Sequence, residues 1–337
     1  MAPSRHSFIK GQEMNLFKRL KSNLSFRYGL YKRIKHDKLS LPLSKLAGLL
    51  DGPKQHRLQI LLLGDSVSER TSNTDTDTTP LSEMIGKKLG SDASYYAITH
   101  SAYYADIYLL YLALLLELGI RPGSIIVPLN VRCTSPQWDF NPMYQCGSHL
   151  KQLFSELHKK VGGRFDNYKP QIRSVSAFMN SSVRYPEVDF TRIAQFQEVI
   201  SSIPQSDAAK SERKRIILTY HYMNRVEKGH RKLKALSELA ALCREQSIRL
   251  LVYMTPINFE AGEKYVGKQF TKNLKANALV ISEAVSESAG NNDHIIFRDY
   301  STALQGSHFF HPDEMTEHLN QLGRDALSNH ILAAGVL

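Results

Sequence analysis

The stretch LQILLLGDSVSERTSNTDTDTTP, residues 58–80, decides the fold. A nearly unbroken apolar run from Leu58 to Leu63 ends in Gly64-Asp65-Ser66, and the chain then stays polar to Pro80. So short an apolar run, closed by glycine, reads as a strand buried on both faces, the kind found in parallel sheets. Ligands gather beyond the carboxyl ends of such strands. Ser66 sits at that corner, where a nucleophile could stand. The plainer reading is that Asp65 and Ser66 shape a turn. The Ser/Thr-rich loop behind them is either mobile or placed to gate a substrate.

Outward from this strand, helix and strand signals alternate. Residues 80–90 and 103–120 read as helices, with strands at 93–101 and 123–132. The 103–120 segment is strongly apolar, but Asp106 and Glu117 and its place between strands make it a core helix. Helices at 227–247 and 268–289 follow, with strands at 249–256 and 294–301, and 316–332 contains a closing helix. This grammar predicts an α/β three-layer sandwich around a central parallel sheet, spanning residues 58–335. The polar stretch 136–215 breaks the rhythm and reads as a helical insertion, a lid or a partner surface.

The chain has 337 residues and a formal charge of +11. Residues 1–60 hold thirteen Lys/Arg against three Asp/Glu, so the basic character belongs to an N-terminal arm, residues 1–57. Within it, 14–38 has helical apolar spacing and a basic face. That face is either simply solvated or drawn to an anionic membrane surface or acidic partner. No nucleic-acid motif accompanies it, so nucleic acid is not expected. No apolar run reaches the roughly 18–20 residues of a membrane span, and no signal-peptide core is present. The expected location is cytoplasmic, peripheral at a membrane if the arm binds one. Three scattered cysteines, Cys133, Cys146 and Cys243, argue against a disulfide framework.

The polar residues at strand ends are Asp65 and Ser66, His100 and Ser101, Asn130, Thr255 and Asn258, and Asp299 and Ser301. His318 follows near the C-terminus. A serine becomes a nucleophile when a histidine takes its proton, and a carboxylate then steadies the imidazole. Backbone N–H groups and an amide stabilise the oxyanion. Ser66, His318, a nearby Asp and Asn130 supply all these parts. Arg132, two residues past Asn130, is a candidate anchor for an anionic substrate, or a plain surface arginine. His308, His311 and His318 lack the spacing of a helical zinc site, and Pro312 interrupts them. No metal and no cofactor is expected.

LLLGDSVSER resembles the first block of the SGNH/GDSL hydrolase family, and EHLNQLGRDAL resembles its last. IIVPLNVR falls where that family places its oxyanion Asn. The resemblance covers roughly 58–135 and 215–335 and implies an SGNH/flavodoxin-like sandwich. It implies Ser66 as nucleophile and His318 as base on the final helix. The Ser66 N–H, Ser101 and Asn130 would form the oxyanion hole, with Asp65 and Arg132 beside the substrate. Three departures stand out. The second block offers Ser101 or Ala102 in place of Gly. The third reads Pro128-Leu129-Asn130-Val131, not Gly-x-Asn-Asp. The acid three residues before the histidine is Met315, which leaves Asp313, with Asp299, Glu314 or no acid at all as alternatives. The implied activity is a serine esterase or O-acyltransferase acting on an acyl ester, of a carbohydrate or glycoconjugate. The rival is a catalytically weak binding component docked by its basic arm.

Overall fold

The computed structural model describes residues 41–50, 58–185, 188–204, 206–290, 292–314 and 316–335. Five strands form one sheet: β1 (Ile60–Gly64), β2 (Tyr95–Thr99), β3 (Ser124–Leu129), β4 (Arg249–Met254) and β5 (Ile295–Asp299). Their order is β2-β1-β3-β4-β5 and every pairing is parallel, with Leu62 opposite Ala97 on one side and Ile126 on the other. The order reverses between β1 and β3, and such a switch point opens a crevice at the strands' carboxyl ends.

The first helices are α1 (Leu41–Leu50), α2 (Ser66–Glu69), α3 (Leu81–Leu89) and α4 (Ala105–Glu117). Five more lie between β3 and the next core helix: α5 (Pro136–Phe140), α6 (Gly147–Val161), α7 (Val175–Met179), α8 (Ile193–Ser202) and α9 (Asp207–Tyr222). The last are α10 (Arg231–Glu245), α11 (Phe259–Val266), α12 (Gln269–Ala289) and α13 (Gln321–Leu332).

Alternation along the strands produces the three layers. Leu61 and Leu63 of β1 face the larger core with α4, α10 and α12. Ile60 and Leu62 face the smaller core, with Leu81 and Ile85 of α3 and Leu327 and Ile331 of α13. Helix α4 is buried on every side from Ala105 to Leu115, as a helix that is apolar all round must be. It packs against both α6 and α10. Truncating Leu112 at its centre to Ala should cost about 2–5 kcal/mol.

Two boundaries and the state of one loop differ from those expected. Residues 41–50 belong to the folded body, because Leu43, Leu46 and Leu49 enter the larger core. Tyr96 and Tyr111 donate hydroxyl hydrogen bonds to the carbonyls of Lys45 and Pro42, at 2.7 and 2.9 Å. The basic segment 14–38 lies outside the described residues. The helical insertion runs to Tyr222, not 215, because α9 continues unbroken to Tyr222, with Ile216, Leu218, Tyr220 and Tyr222 buried. The loop after α2 is tied down. The fully buried Arg324 of α13 pairs with Asp75 at 2.7 Å and donates to the Thr79 carbonyl at 3.0 Å. Among the described residues no helix is long and apolar enough to cross a membrane.

Candidate active site

The corner that carries Ser66 is built by close packing. A Cβ on Gly64 would lie 2.5 Å from Ser68 Oγ and 2.8 Å from the Thr99 side chain, so only glycine lets the chain turn into α2 here. Asp65 caps that turn by accepting the Val67 N–H at 2.9 Å, which leaves Ser66 at the first helical position. Burial pushes the Asp65 carboxyl up to about 7, against the Val67 hydrogen bond.

His318 arrives from the far end of the chain, 252 residues away, and its Nε2 lies 3.2 Å from Ser66 Oγ. It is not on the final helix, as expected. Asn320 caps α13, accepting from Gly323 N–H at 3.1 Å, so His318 precedes the helix in an extended segment. Phe310 N–H donates to the His318 carbonyl at 3.0 Å, and Leu319 bridges Phe309. Gly323 is required by this packing, since a Cβ there would lie 2.2 Å from the His308 carbonyl oxygen.

The acid beside the histidine is Glu317, which sequence reasoning missed. It is fully buried, and its Oε1 lies 4.0 Å from His318 Nε2. Arg132 forms an ion pair with that oxygen, and Tyr222 OH donates to Oε2 at 2.6 Å. Burial pushes the Glu317 carboxyl up. Arg132, His318 and the Tyr222 hydroxyl more than reverse this, so it is held below the usual carboxylate value. His318 lies below its ordinary value, because burial disfavours the imidazolium and Arg132 repels it, while Glu317 opposes both. Its neutral form is the one that takes a proton. Glu317 sits on the nitrogen that faces Ser66, not on Nδ1 where a triad acid orients the ring. The arrangement is therefore a Ser66–His318 contact with a buried carboxylate beside it, and not the geometry of a triad.

Asp313 does not join it. Its side chain is 79% exposed and paired with Lys264 at 3.0 Å, in a turn that points it to solvent. The alternatives fail as well. Asp299 Oδ1 accepts the Ser301 N–H at 2.9 Å, and Glu314 lies half exposed, 3.6 Å from Lys214.

Asn130 stands where expected, after β3. Its Oδ1 accepts the Arg132 N–H at 3.0 Å, which leaves the Nδ2 donors uncommitted among the described residues. Asp65, Ser66, Asn130 and Arg132 share one cleft with Ala102, Tyr104, Trp138, Tyr144 and Lys232. Of the two residues the second block offers, Ala102 lines this cleft and Ser101 does not. Tyr103 N–H closes a turn onto the His100 carbonyl at 3.1 Å, and Ala102 holds φ +66° within it. That left-handed position suits glycine, the residue the family pattern has in this block. Holding alanine there costs on the order of 1 kcal/mol.

Arg132 does line the cleft, but its charge is spent on Glu317, and its guanidinium lies 4.2 Å from the centre of the Trp138 ring. Lys232 is a second buried cation of the wall, 3.5 Å from Asp139 and 4.1 Å from the Tyr104 ring centre. Trp138, Tyr144 and Tyr222 come from the insertion, and nothing in their spacing announced them.

No protein-family model matches this chain, and no curated protein matches it. Among solved structures it is similar to a candidate acylhydrolase from Bacteroides fragilis. That pair has 10% identity and a TM-score of 0.40, over 88% of this chain and 97% of that one. A GDSL-like lipase from Bacteroides thetaiotaomicron is comparable, with 9% identity and a TM-score of 0.39 over 86% and 93% of the two chains.

Proposed function

We propose that the chain is a serine esterase or O-acyltransferase working through Ser66 and His318. The observation that carries this is the 3.2 Å contact between Ser66 Oγ and His318 Nε2 at the switch point of the sheet. Ser66 Oγ attacks the acyl carbonyl, and its proton passes to His318 Nε2. The buried Glu317 carboxylate stabilises the imidazolium that forms. The N–H groups of Ser66 and Ala102 and the Asn130 amide take the oxyanion. His318 then protonates the leaving alcohol, and the acyl group passes from Ser66 to water or to another hydroxyl.

The acyl ester in this proposal is that of a carbohydrate or glycoconjugate, the class the sequence resemblance implies, and Tyr104, Trp138 and Tyr144 line the cleft beside Ser66. The test is a fluorophosphonate probe on the full chain, with release of acetate from acetylated oligosaccharides and from p-nitrophenyl acetate. The wild type should be labelled and hydrolyse both, and Ser66→Ala should do neither. A folded wild-type protein that neither labels nor hydrolyses any ester overturns the proposal.

A further inference from the structure

Behind the cleft wall, outside the dyad, the chain gathers three residues that bind metals. His100 follows β2, Cys146 is the residue before α6, and His149 lies in the first turn of α6. One ring nitrogen of each histidine and Cys146 Sγ lie within 4.8 Å of one another. Ordinary zinc–nitrogen and zinc–sulfur bonds place tetrahedral ligands roughly 3.3–3.6 Å apart, so small side-chain rotations suffice. His100 Nδ1 is 2.7 Å from the Ser101 carbonyl, which only accepts, so Nδ1 carries the proton and Nε2 keeps its lone pair. A ring N–H donated to a backbone carbonyl is how metal-binding histidines are fixed.

A packing role alone leaves one atom unexplained. The His100 and His149 rings meet edge to face at 4.9 Å, which fits an aromatic cluster. Yet His149 Nδ1 is buried with no hydrogen-bond partner among the described residues. Leaving such an atom unmet costs about 1–3 kcal/mol. The charge of Lys45, which faces His149, is partly met by Glu69 at 3.5 Å.

We propose that His100, Cys146 and His149 bind a thiophilic divalent cation of the zinc type, with water in the fourth position. The Cys146 thiol gives its proton to solvent on binding. The cation would join the turn that carries Ala102 to the first turn of α6, and so fix one wall of the cleft to the insertion.

The test is a cobalt titration of the full chain, reduced and dialysed against chelator, followed by zinc displacement. The expected result is one equivalent bound, with a thiolate-to-cobalt charge-transfer band that zinc removes. Cys146→Ser should abolish the band, and Cys133→Ser and Ser66→Ala should keep it. His149→Gln and His100→Gln should weaken binding by more than about 100-fold with unchanged circular dichroism, since even outer-shell changes cost 10–100-fold. These two variants decide the matter if Cys146→Ser does not fold. No stoichiometric binding, or a band that survives in Cys146→Ser, overturns the site. Because the readout is spectroscopic and Ser66→Ala retains it, its failure is separate from failure of the esterase reading.

Discussion

Asp313 and Glu317 lie four residues apart on either side of a sharp change of environment. Asp313 occupies an exposed turn, where Lys264 meets it in water. Glu317 is fully buried between Arg132 and Tyr222, with the His318 imidazole 4.0 Å away. The same charge has different consequences in the two places. At the surface, water and salt screen it. In the interior, it is bound to partners whose own burial depends on it. With Met315 at the spacing the family resemblance implies, sequence alone points to Asp313, the nearest aspartate. Burial and partners select Glu317.

The largest expected effect tests the common premise, that both acids flank a working dyad. Ser66→Ala should lower kcat for ester hydrolysis by at least about 10⁴-fold with the fold intact, as loss of a serine nucleophile does elsewhere. Asn130→Ala comes next. It should cost about 10²–10³-fold in kcat, the range for one oxyanion donor, and about 0.5–2 kcal/mol of stability through loss of its cap on the Arg132 N–H. Steady-state kinetics beside thermal melts would separate that loss from a structural one.

Glu317→Gln and Asp313→Asn bear on the comparison itself. The first leaves Arg132 buried without its counter-charge, and should destabilise the fold by about 3–5 kcal/mol in urea unfolding. Asp313→Asn should leave both the unfolding midpoint and kcat nearly unchanged. Equal destabilisation by the two variants would erase the distinction between the sites.

The parts of this site that were legible in advance share a cause. Ser66, Asn130 and His318 each sit beside a strand end or a motif whose order along the chain is informative. The strands themselves were legible because burial on both faces demands continuous apolar runs. Glu317 was hidden by its adjacency to His318. Neighbouring side chains diverge, by about 100° on a helix and to opposite faces of an extended segment, so adjacency to His318 gave no reason to place Glu317 beside its ring. Helix α1 was hidden by averaging, because Leu43, Leu46 and Leu49 are embedded in a basic stretch whose net charge dominates its reading. Trp138 and Tyr222 come from the insertion, where tertiary packing decides which side chains turn inward.

The smallest effect is the most discriminating. In the proposed mechanism neutral His318 is the base, so activity should fall as pH drops through its pKa. Burial sets that pKa below the ordinary 6.5, and the acid limb of the kcat/KM profile should lie below that value. Glu317 is the group that holds the imidazolium up against burial and Arg132. Neutralising it removes that support and leaves Arg132 uncompensated, so in Glu317→Gln the limb should move to still lower pH. In Asp313→Asn the limb should stay in place, because the Asp313 charge is met by Lys264 in solvent and not by the imidazole. A limb that moves in Asp313→Asn and not in Glu317→Gln would reverse the assignment, and would mean that the exposed turn folds inward when substrate binds.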